Sequence, residues 1–266
     1  MGILDRFDMH GQVAIITGAG TGLGKEMALS LADAGCDIVG VGRRREPIEE
    51  VGGLIRAKGR RYLGCHGTDV TNSAQVNAMV AAAVKEMGHV DVLINNAGGG
   101  PAGRGKTLPE LTDEDWREGM DSNITSAFFC SRAIVPHMLE RGGGRIINVT
   151  SGWGFRGGRN NFMYSIAKGG VVQLTKALAI TYAQGNIRTA CIAPGTFPPA
   201  DNMERVAARG ATQPSGRVGF PPEMGPLAVF LASPAADYLS GETVLIDGGA
   251  IASGLTPAGV VPRAEG

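Results

Sequence analysis

Residues 13–35 read VAIITGAGTGLGKEMALSLADAG, a short apolar run, a glycine-rich turn and a helical stretch in direct succession. Residues 13–17 are apolar throughout rather than alternating, the pattern of a strand covered on both faces. They lead without a spacer into Gly18-Ala19-Gly20-Thr21-Gly22-Leu23-Gly24, and helical periodicity then holds until Gly35. A glycine turn placed there points backbone N–H groups and a helix dipole at one spot, which suits a pyrophosphate. Glycines also serve ordinary tight turns. Their position after the first strand of a strand–helix series is what points to dinucleotide binding, with the spacing Gly-x-x-x-Gly-x-Gly at Gly18, Gly22 and Gly24.

The same rhythm continues along the chain. Apolar runs at 37–41, 62–65, 90–95, 145–150, 188–193 and 243–247 alternate with helical stretches such as 23–34 and 73–87. Thr112 opens a further helix whose first turn carries Asp113, Glu114 and Asp115, the charges that complement a helix dipole. Seven runs separated by helices predict an α/β fold: a doubly wound, mostly parallel seven-stranded sheet of the Rossmann type, with helices on both faces. No repeat or change of composition marks a second domain, so residues 1–266 are expected to form one nucleotide-binding domain. Two segments rich in glycine, proline and small residues stand apart: 196–219 as a substrate lid and 250–266 as a tail.

Composition narrows the function classes. Lys and Arg total 25, as do Asp and Glu, so the formal net charge is zero and no basic field exists to draw in nucleic acid or an anionic membrane. Apolar runs fall short of the roughly 20 residues that a spanning helix needs. Residues 1–10 carry Asp5, Arg6 and Asp8 where a signal peptide would be apolar, so a cytoplasmic protein is expected. Arg6 occupies the position where N-myristoylation wants Ser or Thr. Cys36, Cys65, Cys130 and Cys191 are scattered without a CxxC pair, and free thiols are expected rather than a disulfide or a metal site.

Tyr164 and Lys168 lie four apart in a helical stretch and so share a face. A tyrosine ionises near 10, and a neighbouring cation favours its phenolate. Ser151 follows the run 145–150, at the carboxyl end of a strand, where ligands bind in open parallel sheets.

At these residues the chain resembles the short-chain dehydrogenase/reductase family, in its single-domain branch, over nearly its whole length. The landmarks stand in order: TGAGTGLG at 17–24, TDV at 68–70, NNAG at 95–98, Asn123 in DSNIT, Ser151 in NVTS, YSIAK at 164–168, Pro194-Gly195, and DGG at 247–249. The resemblance implies an NAD(P)-dependent oxidoreductase acting on a secondary alcohol or ketone. It makes Tyr164 the general acid or base, Ser151 a hydrogen-bond donor to the substrate oxygen, and Lys168 both a modulator of Tyr164 and a ligand of the nicotinamide ribose. Asn123 would hold a water that relays protons. Gly18, Thr21, Gly22, Leu23, Gly24, Asp69, Val70, Asn96, Ala97, Gly98, Pro194, Gly195 and Phe197 would meet the cofactor, together with Tyr164 and Lys168. The structural alternatives are that Asn123 bonds its own helix, that Asp69 caps the next one, and that Asn95 braces the sheet. Relatives commonly read PGxxxT, whereas Thr196, Phe197, Pro198 and Pro199 follow Gly195 here, so the lid's contact differs. The glycine-rich stretch 99–107 ends in Lys106-Thr107, yet no strand runs into it and it lacks the spacing of a phosphate loop; an active-site-side loop is expected.

Cofactor choice is set after the second strand, where an acid accepts the ribose 2′-OH of NAD and an arginine favours the 2′-phosphate of NADP. Here Arg43-Arg44-Arg45 follows Gly42 and no carboxylate comes before Glu46, so NADP is expected, with NAD as the alternative; Thr21 stands where some NADP users carry a basic residue. Scaffold stretches such as GRIINVTS resemble the deoxygluconate and gluconate dehydrogenases of the family, and Arg104, Arg156 and Arg159 could meet a sugar acid. The competing substrate is a medium-sized apolar ketone against Trp153, Phe155 and Phe197. A non-catalytic dinucleotide-binding regulator on the same fold is the competing class, disfavoured by the complete Asn123, Ser151, Tyr164, Lys168 set. A sugar-nucleotide epimerase would need an added C-terminal substrate domain. Apolar faces on helices 112–141 and 164–183 exceed what one sheet covers, and the resemblance implies that these faces pair across subunits, so a homotetramer, or at least a dimer, is expected.

Overall fold

The computed structural model describes residues 2–100, 102–198, 202, 206, 210–211 and 213–253. Seven strands form one sheet in the order β3-β2-β1-β4-β5-β6-β7, every adjacent pair parallel: β1 Val13–Thr17, β2 Asp37–Gly42, β3 Tyr62–His66, β4 Val92–Asn95, β5 Gly144–Val149, β6 Ile187–Pro194 and β7 Thr243–Ile246. The continuous apolar character of β1 follows from its position. Ala14 and Ile16 face a core shared with Met27 and Leu31 of α1 (Gly22–Asp33), Ile48 and Val51 of α2 (Arg45–Ala57), and Met224 and Leu231 of a late helix, Met224–Ala232. Val13 and Ile15 face a second core with Val76 and Met79 of α3 (Ser73–Met87) and Ile134 of Ser126–Glu140. Each such Val or Ile contributes about 1.5–3 kcal/mol relative to leaving it in water.

Local chemistry ends the helices where the sequence signals it. Asn72 accepts from the Ala74 and Gln75 amides to start α3, and Gly88 (φ 89°) closes it. Thr112 and Asp115 form a reciprocal capping box at α4 (Asp113–Met120). The expected single helix over 112–141 is instead divided: a π-helical turn, Asp121–Thr125, separates α4 from α5 (Ser126–Glu140). Helices α6 (Phe162–Thr181) and α7 (Met224–Ala232) complete the layers.

After β3 the chain crosses to the other side of β1 to begin β4, so the connections leaving β1 and β4 diverge and open a crevice at their carboxyl ends. Both segments set apart in the sequence fall partly outside the described residues: the lid between 199 and 212, except 202, 206, 210 and 211, and the tail from 254 onward.

Candidate active site

Two adjoining clefts occupy that crevice. The larger, about 730 Å³, is bordered by Gly18 and Thr21 of the glycine turn, Arg43 and Arg44 after β2, Asp69 and Val70 after β3, and Asn96, Ala97 and Gly98 after β4. The smaller, about 260 Å³, shares Asn96 and Gly98 with it and adds Leu23, Asn123, Ser151, Tyr164, Lys168, Pro194, Gly195 and Phe197. Residues spread over 180 positions are thus gathered at one rim because every strand of a parallel sheet ends on the same side.

The glycine turn is held by short-range packing. A Cβ on Gly24 would lie 2.1 Å from the Gly18 carbonyl oxygen and 2.5 Å from Asn96 Nδ2, so only glycine lets the first turn of α1 close on the strand end. Gly22 (φ +54°) has open space around it and is needed for backbone conformation alone. Neither borders the clefts: Gly22 and Gly24 shape the turn, while Gly18, Thr21 and Leu23 face the space. Asn96 donates through Nδ2 to the Thr17 carbonyl (3.0 Å), and Thr17 Oγ1 accepts from the Asn96 and Ala97 amides (3.0 and 2.9 Å), which pins the turn to the end of β4. Asn95 points into the protein, donating to Ser131 Oγ (3.0 Å) and Asn148 Oδ1 (2.9 Å), and braces the sheet.

Asp69 does not cap α3, the task that falls to Asn72. Its Oδ1 accepts from the Thr71 amide (2.9 Å) and hydroxyl (2.8 Å), and these bonds, with Arg43 adding a smaller attraction, hold the carboxyl below its ordinary range. The group is therefore charged and fixed at the mouth of the larger cleft.

In the smaller cleft, Ser151 lies two residues beyond β5 and its Oγ accepts from the Trp153 amide at 3.3 Å. Lys168 is buried, its Nζ donating to the Val149 carbonyl (3.1 Å) and standing 5.6 Å from the centroid of the Tyr164 ring. Burial lowers its ionisation to about 8, so it stays mostly protonated at neutral pH. The Tyr164 phenol is raised above 10 by burial, against the opposing hydrogen bond of Ser151 and the positive charge of Arg104. The groups that lower Tyr164 here are Ser151 and Arg104, and burial outweighs both. Asn123, buried in the π-helical turn, donates from Nδ2 to the Gly119 carbonyl (3.1 Å), while its Oδ1 is buried without a partner. A Cβ on Gly98 would lie 3.2 Å from that Oδ1 and 3.4 Å from Lys168 Nζ, so the glycine leaves room beside both.

Residues 12–209 match the family model described as short chain dehydrogenase. The chain belongs to that family. It is 41 % identical over 259 residues to a 2-dehydro-3-deoxy-D-gluconate 5-dehydrogenase of Escherichia coli strain K12, covering 94 % of this chain and 99 % of that one. A 3-oxoacyl-[acyl-carrier-protein] reductase of Vibrio cholerae is 35 % identical, with 91 % and 98 % covered. Among solved structures, a gluconate 5-dehydrogenase of Burkholderia cenocepacia in complex with NADP and tartrate superposes with a TM-score of 0.86 at 33 % identity, covering 94 % of this chain and 99 % of that one. This short-chain dehydrogenase is accordingly an oxidoreductase of hydroxyl and keto groups whose cofactor is NAD(P). The close Gly18–Gly24 approach and the unpartnered Asn123 Oδ1 both fit a dinucleotide laid along the two clefts.

Sequence reading passed over several bordering residues. Gly20, Pro47 and Ile48 line the larger cleft because α2 folds onto the glycine turn, with Pro47 Cβ 2.9 Å from where a Gly20 Cβ would stand. Thr68, Thr71 and Ser122 also face it, and Thr150 the smaller one. Thr150 and Thr68 each adjoin a residue that was singled out, which was the available signal; for Pro47 there was none. The loop 99–107 is no phosphate loop: Lys106 Nζ is paired with Asp115 at 2.7 Å. Among the described residues no group of three His, Cys, Asp or Glu side chains could hold a metal ion, and no helix is long and apolar enough to cross a membrane.

Proposed function

We propose that the protein interconverts a secondary alcohol and a ketone in a small sugar acid, with NADP(H) and with Tyr164 as the proton-transferring group. The observation that carries this reading is the meeting of Ser151, Tyr164, Lys168 and Asn123 in one cleft continuous with the glycine turn. The nicotinamide, when bound, supplies or accepts the hydride. Tyr164 gives its proton to the substrate oxygen in reduction and takes it back in oxidation, while the Ser151 hydroxyl orients that oxygen. Lys168, held by the Val149 carbonyl, would turn its ammonium to the ribose hydroxyls and stabilise the phenolate once it forms. Asn123 Oδ1 would accept from a water beside Gly98 and carry the proton onward. Gly18, Thr21, Asp69, Val70, Asn96, Ala97, Pro194, Gly195 and Phe197 would hold the remainder of the dinucleotide, with Gly22, Leu23 and Gly24 shaping the helix start beneath its phosphates.

Arg43 and Arg44 border the cleft after β2 and no carboxylate follows Gly42 before Glu46, which supports recognition of a 2′-phosphate. The sugar-acid class is supported by the names of the relatives and by two cations, Arg104 and Arg156, in the loops that follow β4 and β5. Arg104 is close enough to act on Tyr164, and Arg156 lies over the Trp153 ring at 4.5 Å with its Nε buried and unpartnered. Arg159 and Phe155 are exposed, and Phe197 alone of the candidate apolar wall borders the inner cleft. We further propose one domain over 1–266 with a lid at 196–219 and a tail at 250–266, working in the cytoplasm as a homotetramer. Free cysteines among the described residues support the compartment. Trp116 and Phe128 on α4 and α5, and Ile180 on α6 at 82 % exposure, support association.

The test is initial rates with NADP+ and NAD+ on 2-dehydro-3-deoxy-D-gluconate, D-gluconate and a set of neutral alcohols, with light scattering for assembly. Preference for NADP+ and a sugar acid, losing affinity in Arg104→Ala or Arg156→Ala and with rising salt, is the expected result. Faster turnover of neutral alcohols with KM unchanged in both variants overturns the substrate class. A 27.5 kDa species alone overturns the assembly.

A further inference from the structure

We propose that Asn160 is a positioning residue that clasps the loop after β4 to the loop after β5 and so holds Arg104, the neighbour of Gly105, beside the start of the helix that carries Tyr164. Gly105 donates its amide to the Asn160 carbonyl (2.9 Å), and Asn160 Nδ2 donates to the Gly105 carbonyl (3.2 Å). Both polar groups of one peptide-chain position thus end on a single residue 55 positions away. Each partner has a left-handed backbone, φ +89° at Gly105 and +52° at Asn160. A Cβ on Gly105 would meet nothing within 4 Å, so the glycine serves conformation and not space. Asparagine is among the few side-chain-bearing residues that tolerate this region, and its amide can also donate, which aspartate of the same shape cannot.

Each loop is anchored separately to its own side of the cleft. The first is tied down by Lys106 on Asp115 and by Gly103 packed against Leu111. The second is tied by the Asn161 amide on the Gly158 carbonyl (3.1 Å) and by Gly158 against Trp153, the ring over which Arg156 lies. The Gly105–Asn160 pair joins the two, and Arg104 is the residue next to the joint. The nearness of the Arg104 charge to the Tyr164 phenol fits this placement.

The inference rests on Tyr164 as the reacting group and not on the substrate class. Two variants open the clasp from opposite sides. Asn160→Gly keeps the backbone conformation and the main-chain bond while removing the side-chain donor, and Gly105→Ala strains the partner without crowding it. Amide hydrogen exchange should quicken in both loops in each variant with the NADP+ Kd unchanged, while the Tm stays at the wild-type value in Asn160→Gly and falls by a few degrees in Gly105→Ala, whose backbone is left-handed. In oxidation of 2-dehydro-3-deoxy-D-gluconate, or of cyclohexanol should the wild type not accept the sugar acid, kcat/KM should fall about 2- to 10-fold, the worth of one hydrogen bond. In an Arg104→Ala background the same Asn160→Gly change should have almost no further effect, because the position it controls is already lost. An equal fall in both backgrounds, unchanged exchange in the loop 102–107, or parallel loss of NADP+ binding overturns the proposal. Failure of the catalytic assignment would show separately, as retained turnover in Tyr164→Phe.

Discussion

Replacing Gly24 by alanine tests how the glycine turn is built. In an open helix the change would stabilise, since glycine costs about 1 kcal/mol relative to alanine in a helix interior. Here the added carbon would stand 2.1 Å from the Gly18 carbonyl oxygen and 2.8 Å from its carbonyl carbon, both backbone atoms that cannot rotate away. Overpacking of this kind costs about 1–3 kcal/mol, occasionally more, and contact with fixed backbone atoms puts Gly24→Ala at the upper end, so after the helix gain the net expected loss is about 2 kcal/mol. At roughly 2–4 °C per kcal/mol for a chain of this size, the Tm should fall by several degrees. Binding should suffer more, because α1 can relieve the contact only by withdrawing its N-terminal amides from the phosphate position. Two controls calibrate the result. Gly22→Ala meets no atom within 4 Å and carries only the cost of a left-handed backbone, about 1–2 kcal/mol, whereas Gly53→Ala in α2 meets nothing, has no such backbone, and should be neutral or stabilising. Thermal unfolding with and without NADP+, and titration of NADP+ by fluorescence, read all three. A Gly24→Ala protein with wild-type Tm and wild-type NADP+ affinity would refute the reasoning.

Tyr164→Phe should bind NADP+ within a few-fold of wild type and lose about 10²–10⁴ in kcat, measured by nicotinamide absorbance. Because burial raises the phenol, the unliganded enzyme holds it protonated at neutral pH, so oxidation should accelerate as pH rises; Arg104→Ala removes a charge that lowers the group, and should move that limb of the kcat/KM profile to higher pH. Arg43→Ala should reduce the preference for NADP+ over NAD+ by about 10- to 100-fold, the worth of a charge-assisted hydrogen bond to phosphate, as read from kcat/KM for the two cofactors.

The sheet was legible because a buried parallel strand leaves so plain a trace: 13–17 and 73–87 coincide with β1 and α3 as the structure forms them. The remaining strands begin or end within one or two residues of their apolar runs. That Asn123, Ser151, Tyr164 and Lys168 meet in one cleft was legible by resemblance, and the strand-end placement of Ser151 gave that resemblance a physical basis. What stayed hidden depends on contacts between distant segments. The Asn95 amide reaches Ser131 and Asn148, and Tyr62 Oη donates to the Ile48 carbonyl, and neither partner can be chosen from local sequence. The Gly105–Asn160 clasp is of the same kind, since each residue taken alone looks like an ordinary loop residue.

The π-helical turn shows why the remaining error mattered. DSNIT continues the helical periodicity of the residues on either side, so nothing in its composition predicts a break between α4 and α5. The turn widens the helix by one residue, and such insertions recur where a side chain must leave the regular helical surface. Here that side chain is Asn123, which spends its Nδ2 hydrogens on the Gly119 carbonyl four residues back and on Ser122 Oγ (3.0 Å). Anchored through its donor, the amide has only its acceptor left for the cleft, and that acceptor is buried beside Gly98 without a partner. A buried orphan carbonyl costs about 1–3 kcal/mol. A regular helix would have no reason to retain that cost, whereas the proposed role of Asn123, accepting from a water near Lys168, supplies one.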